Sequence, residues 1–412
     1  MEPITILHEK RVILGVTGSI AAYKAVDLAS KLTQSGALVD VIMTESAQRF
    51  VTPLTFQAVT GRSVYTDLWQ SGDSALPTHI AHVGLGEGAD VLVIAPATAH
   101  TLAKLAHGMA DNLLSVTALA ACCPLVIAPA MDGGMYTHPA TQGNLEILQS
   151  RGAWLVEPDE GRFASGLVGK GRLPETPTLI GEIRRALGQN GVLAGRHVVI
   201  TAGGTREALD PVRYLTNRSS GKQGYALAQA ALDAGAEVTL ISTAQGLAIP
   251  VGATLVPVDS AAALLEAVLA HCDTADALVM AAAVADFRPA AVATQKIKKQ
   301  DDGGGLTLEL ARTADILVAV KERRMQTGSP RVVVGFAAES ENLLANAHAK
   351  LERKGLDMLV ANDITAMDAG FNVDTNRVTI LDSAGGQQSL ALTSKARVSE
   401  IIIERIAKRL IQ

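Results

Sequence analysis

The chain has 412 residues, 48% of them apolar, 19% charged and 3% aromatic, with a formal net charge of −5. That charge excludes a nucleic-acid binder working by bulk positive potential. Three cysteines, with no Cys-x-x-Cys pair, exclude a disulfide framework and a structural zinc. The length predicts two or three domains at about 150 residues each. The scarcity of aromatics beside abundant Ala, Val, Leu, Ile and Gly predicts buried parallel strands flanked by helices. Reduced cysteines and the lack of a secretory pattern after Met1 place the chain in the cytoplasm.

In chain order, the apolar run Arg11–Gly15 predicts a strand, the turn Val16-Thr17-Gly18-Ser19 follows it, and Ile20–Ser35 has a helical pattern. Leu38–Met43, Asp90–Ala95 and Leu125–Ala128 predict further strands. They end at Thr44-Glu45-Ser46, Pro96-Ala97-Thr98 and Pro129-Ala130-Met131. Gly108–Leu114 is expected on a helix. Leu113–Met131 carries no charge over 19 residues, but Pro124 and Pro129 make it a buried helix, a turn and a strand rather than a membrane span. Glycine-rich Leu187–Arg196 reads as a connection, with a domain boundary near residue 190. The pattern then restarts with strands at His197–Thr201, Glu237–Ser242, Ala277–Ala282, Arg331–Gly335 and Met358–Val360. Asp301–Gly305 is expected to be a local turn. The fold class is therefore α/β, with two Rossmann-like domains, 1–190 and 191–412, each built on a mostly parallel sheet flanked by helices. Ligands are expected beyond the carboxyl ends of the strands, one site per half.

Gly15–Ile20 opens a helix with a glycine turn whose free N–H groups suit a phosphate, although the third glycine of a dinucleotide fingerprint is missing. Thr44-Glu45-Ser46, Ala95–Ala99, Gly108-Met109-Ala110-Asp111-Asn112 and Pro129-Ala130-Met131-Asp132-Gly133-Gly134-Met135 follow in order. This order and spacing, from about residue 8 to 185, resembles the flavin-containing cysteine decarboxylases. The nearest likeness within them is the phosphopantothenoylcysteine decarboxylase half of bifunctional coenzyme A enzymes. The resemblance implies FMN at a trimer interface, with Gly18, Ser19, Thr44, Ser46, Thr98 and Asn112 as flavin contacts. It also implies His82 as the active-site histidine, with His79 as a decoy three residues earlier. Two positions depart from the family pattern. Asp132 replaces an Asn that meets the substrate carboxylate; an ionised Asp would repel it, so Asp132 is protonated, turned away or bound differently. Ser165 replaces the flap cysteine, the implied acid for the final protonation; a thiol has a pKa of about 8.5 and serine is far weaker. Three routes stay open: Ser165 relays a proton from water, His82 acts instead, or the reaction stops at the oxidised enethiol. Cys122-Cys123, in an apolar stretch, read as packing residues.

In the second half, Thr201–Glu207 and Leu209–Gly224 place hydroxyls, basic residues and glycines before a helix, which suits phosphates but is not a Walker A loop. Ala-Asp286-Phe287, Lys296-Ile297-Lys298-Lys299 and Gly335-Phe336-Ala337-Ala338-Glu339 follow. Lys350 and Lys354 share a helix face. From about residue 196 to 408 this order resembles phosphopantothenate–cysteine ligase. The resemblance implies attack of the 4′-phosphopantothenate carboxylate on CTP to give an acyl-cytidylate, which the cysteine amine then opens. It implies Asn217 holding the acyl-cytidylate, Lys296 acting in the second step, Asp286 and Phe336 lining the nucleotide site, and Lys350 and Lys354 on the triphosphate. Asp315, in Thr313-Ala314-Asp315-Ile316, matches a family aspartate, although the preceding Asn-Pro is lost. Mg2+ is expected with the triphosphate; no residue is assigned as a metal ligand, and CTP against ATP stays open.

The combined reading is ligation followed by decarboxylation on one chain, with small-molecule partners, no nucleic acid and no membrane. A homo-oligomer is implied, trimeric through the first domain and dimeric through the second, hence a dodecamer. Two rivals stand beside it. One is an active ligase fused to a flavin-binding scaffold, prompted by Asp132 and Ser165. The other is a nicotinamide oxidoreductase, which the missing three-glycine fingerprint disfavours.

Overall fold

The computed structural model describes residues 4–69, 80–298, 306–339, 343–363 and 373–411. The chain divides into two compact units, Met1–Gly188 and Gln189–Gln412. His79, Lys299 and the Asp301–Gly305 turn lie outside the described residues.

In the first unit, β1 (Arg11–Val16), β2 (Leu38–Met43), β3 (Val64–Tyr65), β4 (Val91–Ala97), β5 (Leu125–Pro129) and β6 (Trp154–Leu155) form one sheet. Its order is β3-β2-β1-β4-β5-β6 and every pairing is parallel. The helices are α1 (Ala22–Gln34), α2 (Pro53–Thr60), α3 (Ala81–Gly88), α4 (Ala99–His107), α5 (Leu113–Ala120), α6 (Gly133–Tyr136), α7 (Pro139–Ser150) and α8 (Thr176–Gly188). Alternate residues of β1 explain the two-sided core. Val12, Leu14 and Val16 pack with Leu28 and Leu32 of α1 and Ile183 of α8. Ile13 packs with Leu85 of α3, Leu102 of α4 and Leu114 of α5. Both faces are buried, which is why the strands read as continuous apolar runs. An antiparallel hairpin, β7 (Asp159–Arg162) and β8 (Val168–Arg172), stands apart from the sheet.

Three local expectations change. The first helix begins at Ala22 rather than Ile20, because Ser19 N–H turns back to Thr17 O at 2.9 Å and the Ser19 hydroxyl accepts from Ala21 N–H. β4 runs on to Ala97, through a cis Ala95–Pro96 bond. Gly108–Leu114 is not one helical stretch: Gly108 ends α4 in the left-handed conformation, φ +66°, and Asn112 caps the start of α5. The uncharged segment from Leu113 divides into α5 and β5, and among the described residues no helix is long and apolar enough to cross a membrane.

The second unit contains β9 (His197–Ala202), β10 (Arg206–Ala208), β11 (Tyr214–Thr216), β12 (Glu237–Ser242), β13 (Ala253–Pro257), β14 (Ala277–Met280), β15 (Phe287–Pro289), β16 (Leu310–Arg312), β17 (Val332–Glu339), β18 (Met358–Asp363), β19 (Thr375–Asp382) and β20 (Gln387–Ser394). Its main sheet has the order β13-β12-β9-β14-β17-β18-β19-β20, parallel as far as β18 and antiparallel beyond. β10–β11 and β15–β16 are small separate antiparallel pairs. Helices α9 (Lys222–Asp233), α10 (Ala261–Cys272), α11 (Ile316–Thr327), α12 (Leu343–Lys354) and α13 (Lys395–Ile411) cover it. Predicted β14 ends two residues early, where Ala281 N–H folds back to Val279 O at 3.2 Å. Strand order reverses between β1 and β4 in the first sheet and between β9 and β14 in the second, opening a crevice at each switch point.

Candidate functional site

In the first unit a cavity of about 530 Å³ opens beyond the ends of β1, β4 and β5. That is ample for a drug-sized ligand. Gly18, Ser19 and Thr98 form one side, and Asp132, Phe163 and Ser165 form another. Buried Thr17 fixes the floor: its hydroxyl donates to Pro96 O at 2.7 Å and accepts from Thr98 N–H at 3.1 Å. Thr98 then caps α4. Gly18 is needed for close approach, since a Cβ there would come within 2.4 Å of Ser46 Cβ. Lys24, Arg162 and Arg172 bring positive charge to the wall; Ile20, Met131 and Leu173 bring apolar surface. Hydroxyls and cations beside two helix starts suit a phosphate, and the apolar wall suits a flat ring. The donor set therefore fits a flavin mononucleotide.

The β7–β8 hairpin forms the lid of this cavity. Gly166 takes φ +89° at its tip, and Phe163 N–H donates to Leu167 O at 2.8 Å. Gly171 takes φ +148°, and Met131 N–H donates to its carbonyl at 2.9 Å. On the lid side of the cavity Ser165 Oγ donates to Asp132 Oδ2 at 2.5 Å. Asp132 Oδ1 accepts from Gly134 N–H at 3.3 Å and caps α6.

In the second unit a smaller cavity, about 110 Å³, lies at the start of α9. Ser219–Gly224, Ala281–Ala283, Phe336, Asn362, Asn376 and Lys395 surround it. Asn362 Oδ1 is buried with no hydrogen-bond partner among the described residues, so a ligand donor has a ready acceptor. Lys222 pairs with Asp374 at 2.7 Å, and Lys395 donates to Val373 O at 2.6 Å. Burial, then the nearby Lys222 ammonium, pushes Lys395 down to about 8. Asn217 Nδ2 donates to Ala283 O and Val284 O, both at 3.2 Å, tying the long loop to the end of β14. Asp210 organises the segment that carries Lys296. It accepts from Arg213 Nη2 at 2.6 Å and from Ile297 N–H at 3.1 Å. Burial opposes its ionisation, but these bonds and those from the Val212 and Arg213 N–H groups hold its carboxyl well below the usual carboxylate range.

Residues 2–188 match the family model described as Flavoprotein, and residues 193–410 match the DNA/pantothenate metabolism flavoprotein C-terminal domain. The chain is 49% identical to the coenzyme A biosynthesis bifunctional protein CoaBC of Bacillus subtilis (strain 168), over 97% of each chain. The chain belongs to the bifunctional coenzyme A biosynthesis protein family. It is 47% identical to the Mycobacterium bovis member over 96% of each chain. The crystal structure of the C-terminal domain of a coenzyme A biosynthesis bifunctional protein CoaBC is also similar, at 38% identity, 54% of this chain, 99% of that one and a TM-score of 0.45.

Against the site expected of this family, the structure brings Gly18, Ser19, Thr98, Asp132 and Ser165 to one cavity. Thr44, Ser46, Asn112 and His82 lie outside its lining. Thr44 accepts from Ala47 N–H, and the Asn112 side chain is engaged in a capping box with Ser115. His82 is half-buried on α3. In the second unit Phe336 reaches the cavity; Asp286 and Lys296 are exposed. Asp315 caps α11 and pairs with Lys354 at 3.3 Å, so these two residues of the expected set do meet. Lys350 stands one turn earlier on α12. Thr17, Lys24, Arg162, Asp210, Asn376 and Lys395 were not singled out from sequence. The hydroxyl of Thr17 within the glycine turn was the visible signal; Lys395 had none, because it meets Lys222 only through the antiparallel end of the sheet. Cys122 is exposed rather than packed, and burial pushes Cys123 up to about 11, away from a nucleophile.

Proposed function

We propose that the first unit is an FMN-dependent phosphopantothenoylcysteine decarboxylase and the second a CTP-dependent phosphopantothenate–cysteine ligase, acting in the order ligation then decarboxylation. The observation that carries this reading is the match to bifunctional relatives across both units, 97% of each chain. It also supports two working halves over a scaffold fused to a ligase.

FMN, when bound, supplies the oxidation that makes the cysteinyl end an electron sink and the reduction that later restores it. The chain's residues do the rest. Ser19, Thr98 and the starts of α1 and α4 would hold the flavin phosphate, with Gly18 giving backbone access. The Phe163 lid excludes water. Thr44, Ser46 and Asn112 would act from the rim, fixing the strand ends and the start of α5. His82, outside the cavity lining, would be supplied by a neighbouring copy. Ile20, Tyr23, Met135 and Leu167 support this, since each is more than half exposed near the cavity mouth or on its lid, an apolar patch suited to a subunit contact. A trimer through this unit, and dimers through the other, would build a dodecamer. In the ligase unit, Phe336 and Asp286 would line the nucleotide site. Lys350, Lys354 and Asp315 would organise the triphosphate, Asn217 the acyl-cytidylate and Lys296 the cysteine step. Mg2+ would arrive on the phosphate oxygens, which suit a hard cation. The substrates are soluble metabolites, consistent with a cytoplasmic enzyme.

The test uses purified full-length protein. Supplied with 4′-phosphopantothenate, cysteine and CTP, it yields 4′-phosphopantothenoylcysteine, then carbon dioxide and 4′-phosphopantetheine. A Lys296→Gln protein accumulates acyl-cytidylate; normal ligation by that variant removes the role of Lys296. Co-assembly of His82→Asn with Ser165→Ala chains restores part of the 4′-phosphopantetheine formation that each lacks alone. No restoration means that His82 acts within its own chain.

A further inference from the structure

The two positions at which this chain departs from the decarboxylase pattern touch one another. Asp132 stands at the end of β5 and Ser165 at the tip of the β7–β8 hairpin, and both line the same cavity. Their 2.5 Å hydrogen bond has the length of a charge-assisted O–H···O⁻ contact. The pair is held from both sides: Met131 N–H bonds to Gly171 O, and the Phe163 ring lies over Gly133. Among the described residues, the other charged groups on the wall are Lys24, Arg162 and Arg172. Lys24 is engaged by Glu175 at 2.6 Å, and on the hairpin Lys170 pairs with Glu157. Tyr136, on the helix that Asp132 caps, has its phenol pushed up by burial and stays protonated.

We propose that Asp132 and Ser165 form one acid, a carboxyl relaying its proton through a hydroxyl, in place of a thiol. The proposal rests on the decarboxylase reading of this unit. A substrate carboxylate entering beside Asp132 puts two acidic groups in one cavity, and like charges so close do not both stay ionised. Binding therefore takes up a proton, which Asp132 holds. The guanidiniums of Arg162 and Arg172 draw the acidic substrate in. When the bond from Cα to the carboxylate breaks, its electron pair enters the enethiolate, and carbon dioxide leaves without a proton. Ser165 then gives its hydroxyl proton to Cα. The C–H bond forms from the enethiolate π pair, C=S re-forms, and Ser165 takes the proton of Asp132. Asp132 ends as the carboxylate it began as, and the proton taken up at binding is in the product. Serine alone is too weak an acid for this step, and an Asn at position 132 would have no proton to relay. The two departures are thus a single exchange, Asp with Ser for Asn with Cys.

The test uses the FMN-loaded full-length protein. Calorimetric titration with 4′-phosphopantothenoylserine, whose hydroxyl replaces the reactive thiol, in buffers of different ionisation heat is expected to show roughly one proton taken up per site. Asp132→Asn is expected to show none. With the true substrate, Asp132→Asn releases carbon dioxide but loses reduced product by about 100-fold, the contribution of a general acid, and oxidised enethiol accumulates. The Asp132→Asn/Ser165→Cys protein recovers reduced product. Reduced product at the native rate from Asp132→Asn alone overturns the relay, as does absent proton uptake or an FMN-loaded double variant that still stops at the enethiol. If the native protein releases no carbon dioxide, the decarboxylase reading itself fails, and the relay with it.

Discussion

Thr17 joins two strand ends with one hydroxyl: it donates to Pro96 O at 2.7 Å while accepting the N–H of Thr98 at 3.1 Å. The bond sets where α4 starts, and with it one wall of the first cavity. Thr17→Val keeps the shape and leaves both backbone groups unpaired in a buried place. Each such group costs about 1–3 kcal/mol. The expected outcome is a lower melting temperature and a purified protein with reduced flavin content, read from the ratio of visible to ultraviolet absorbance.

Gly171 carries the lid. A Cβ at this position would come within 2.4 Å of Met131 O, at φ +148°. Gly171→Ala must therefore displace the hairpin or strain it by about 1–3 kcal/mol. Decarboxylation is expected to fall at least tenfold, while ligation by the second unit is unchanged. Equal loss of both activities would mean that the effect is global.

Asp210 holds the Lys296 segment through Ile297 and Arg213. Asp210→Asn removes the charge that orients Arg213 and is expected to cost roughly 10- to 100-fold in ligation rate, the scale of a misplaced catalytic group. Intermediate build-up, as in Lys296→Gln, distinguishes this from a binding defect. The acid limb follows from the depressed carboxyl. Its stabilising contribution is present above the unfolded carboxylate value near 3.9 and is lost as pH falls through the lower folded value. Asp210→Asn therefore narrows the stability gap to native most strongly below that window.

Lys395 predicts a basic limb of opposite sign. Its folded value of about 8 lies below the unfolded value, near 10.4, so the folded chain sheds this proton first. The cost of burying the ammonium is full below pH about 8 and relieved as pH rises towards the unfolded value. Over the same range the cavity loses a positive charge, so CTP affinity is expected to fall as pH passes 8. Lys395→Met should bind CTP more weakly at neutral pH, by about tenfold if the ammonium meets a phosphate, and lose that pH dependence. Titration of bound nucleotide across this range checks both.

The fold was largely legible. β2 and β12 coincide with the apolar runs Leu38–Met43 and Glu237–Ser242 because buried parallel strands leave continuous apolar segments bounded by turns. Helix starts were less legible. Ser19 and Asn112 spend their side chains on local backbone, which moves a boundary or splits a motif without changing composition. The site was legible in its strand-end residues and hidden in its pairings. Nothing in sequence joins Asp132 to Ser165, 33 residues on, or Lys222 to Asp374, 152 residues on. Such contacts belong to the tertiary arrangement, and only the composition of each partner can be read beforehand.

The antiparallel end of the second sheet has a consequence for synthesis. Lys222 and Gln223, at the start of α9, are met by Asp374 and by Ser399 of α13, and Lys395 closes the same cavity. A growing chain completes β9, β12, β14 and β17 long before these partners leave the ribosome. The cavity at the start of α9 is thus among the last features of the unit to exist. Nascent chains halted ahead of residue 373 would lack this finished cavity, so, if it is the nucleotide site proposed above, nucleotide capture would report that translation of the domain has finished.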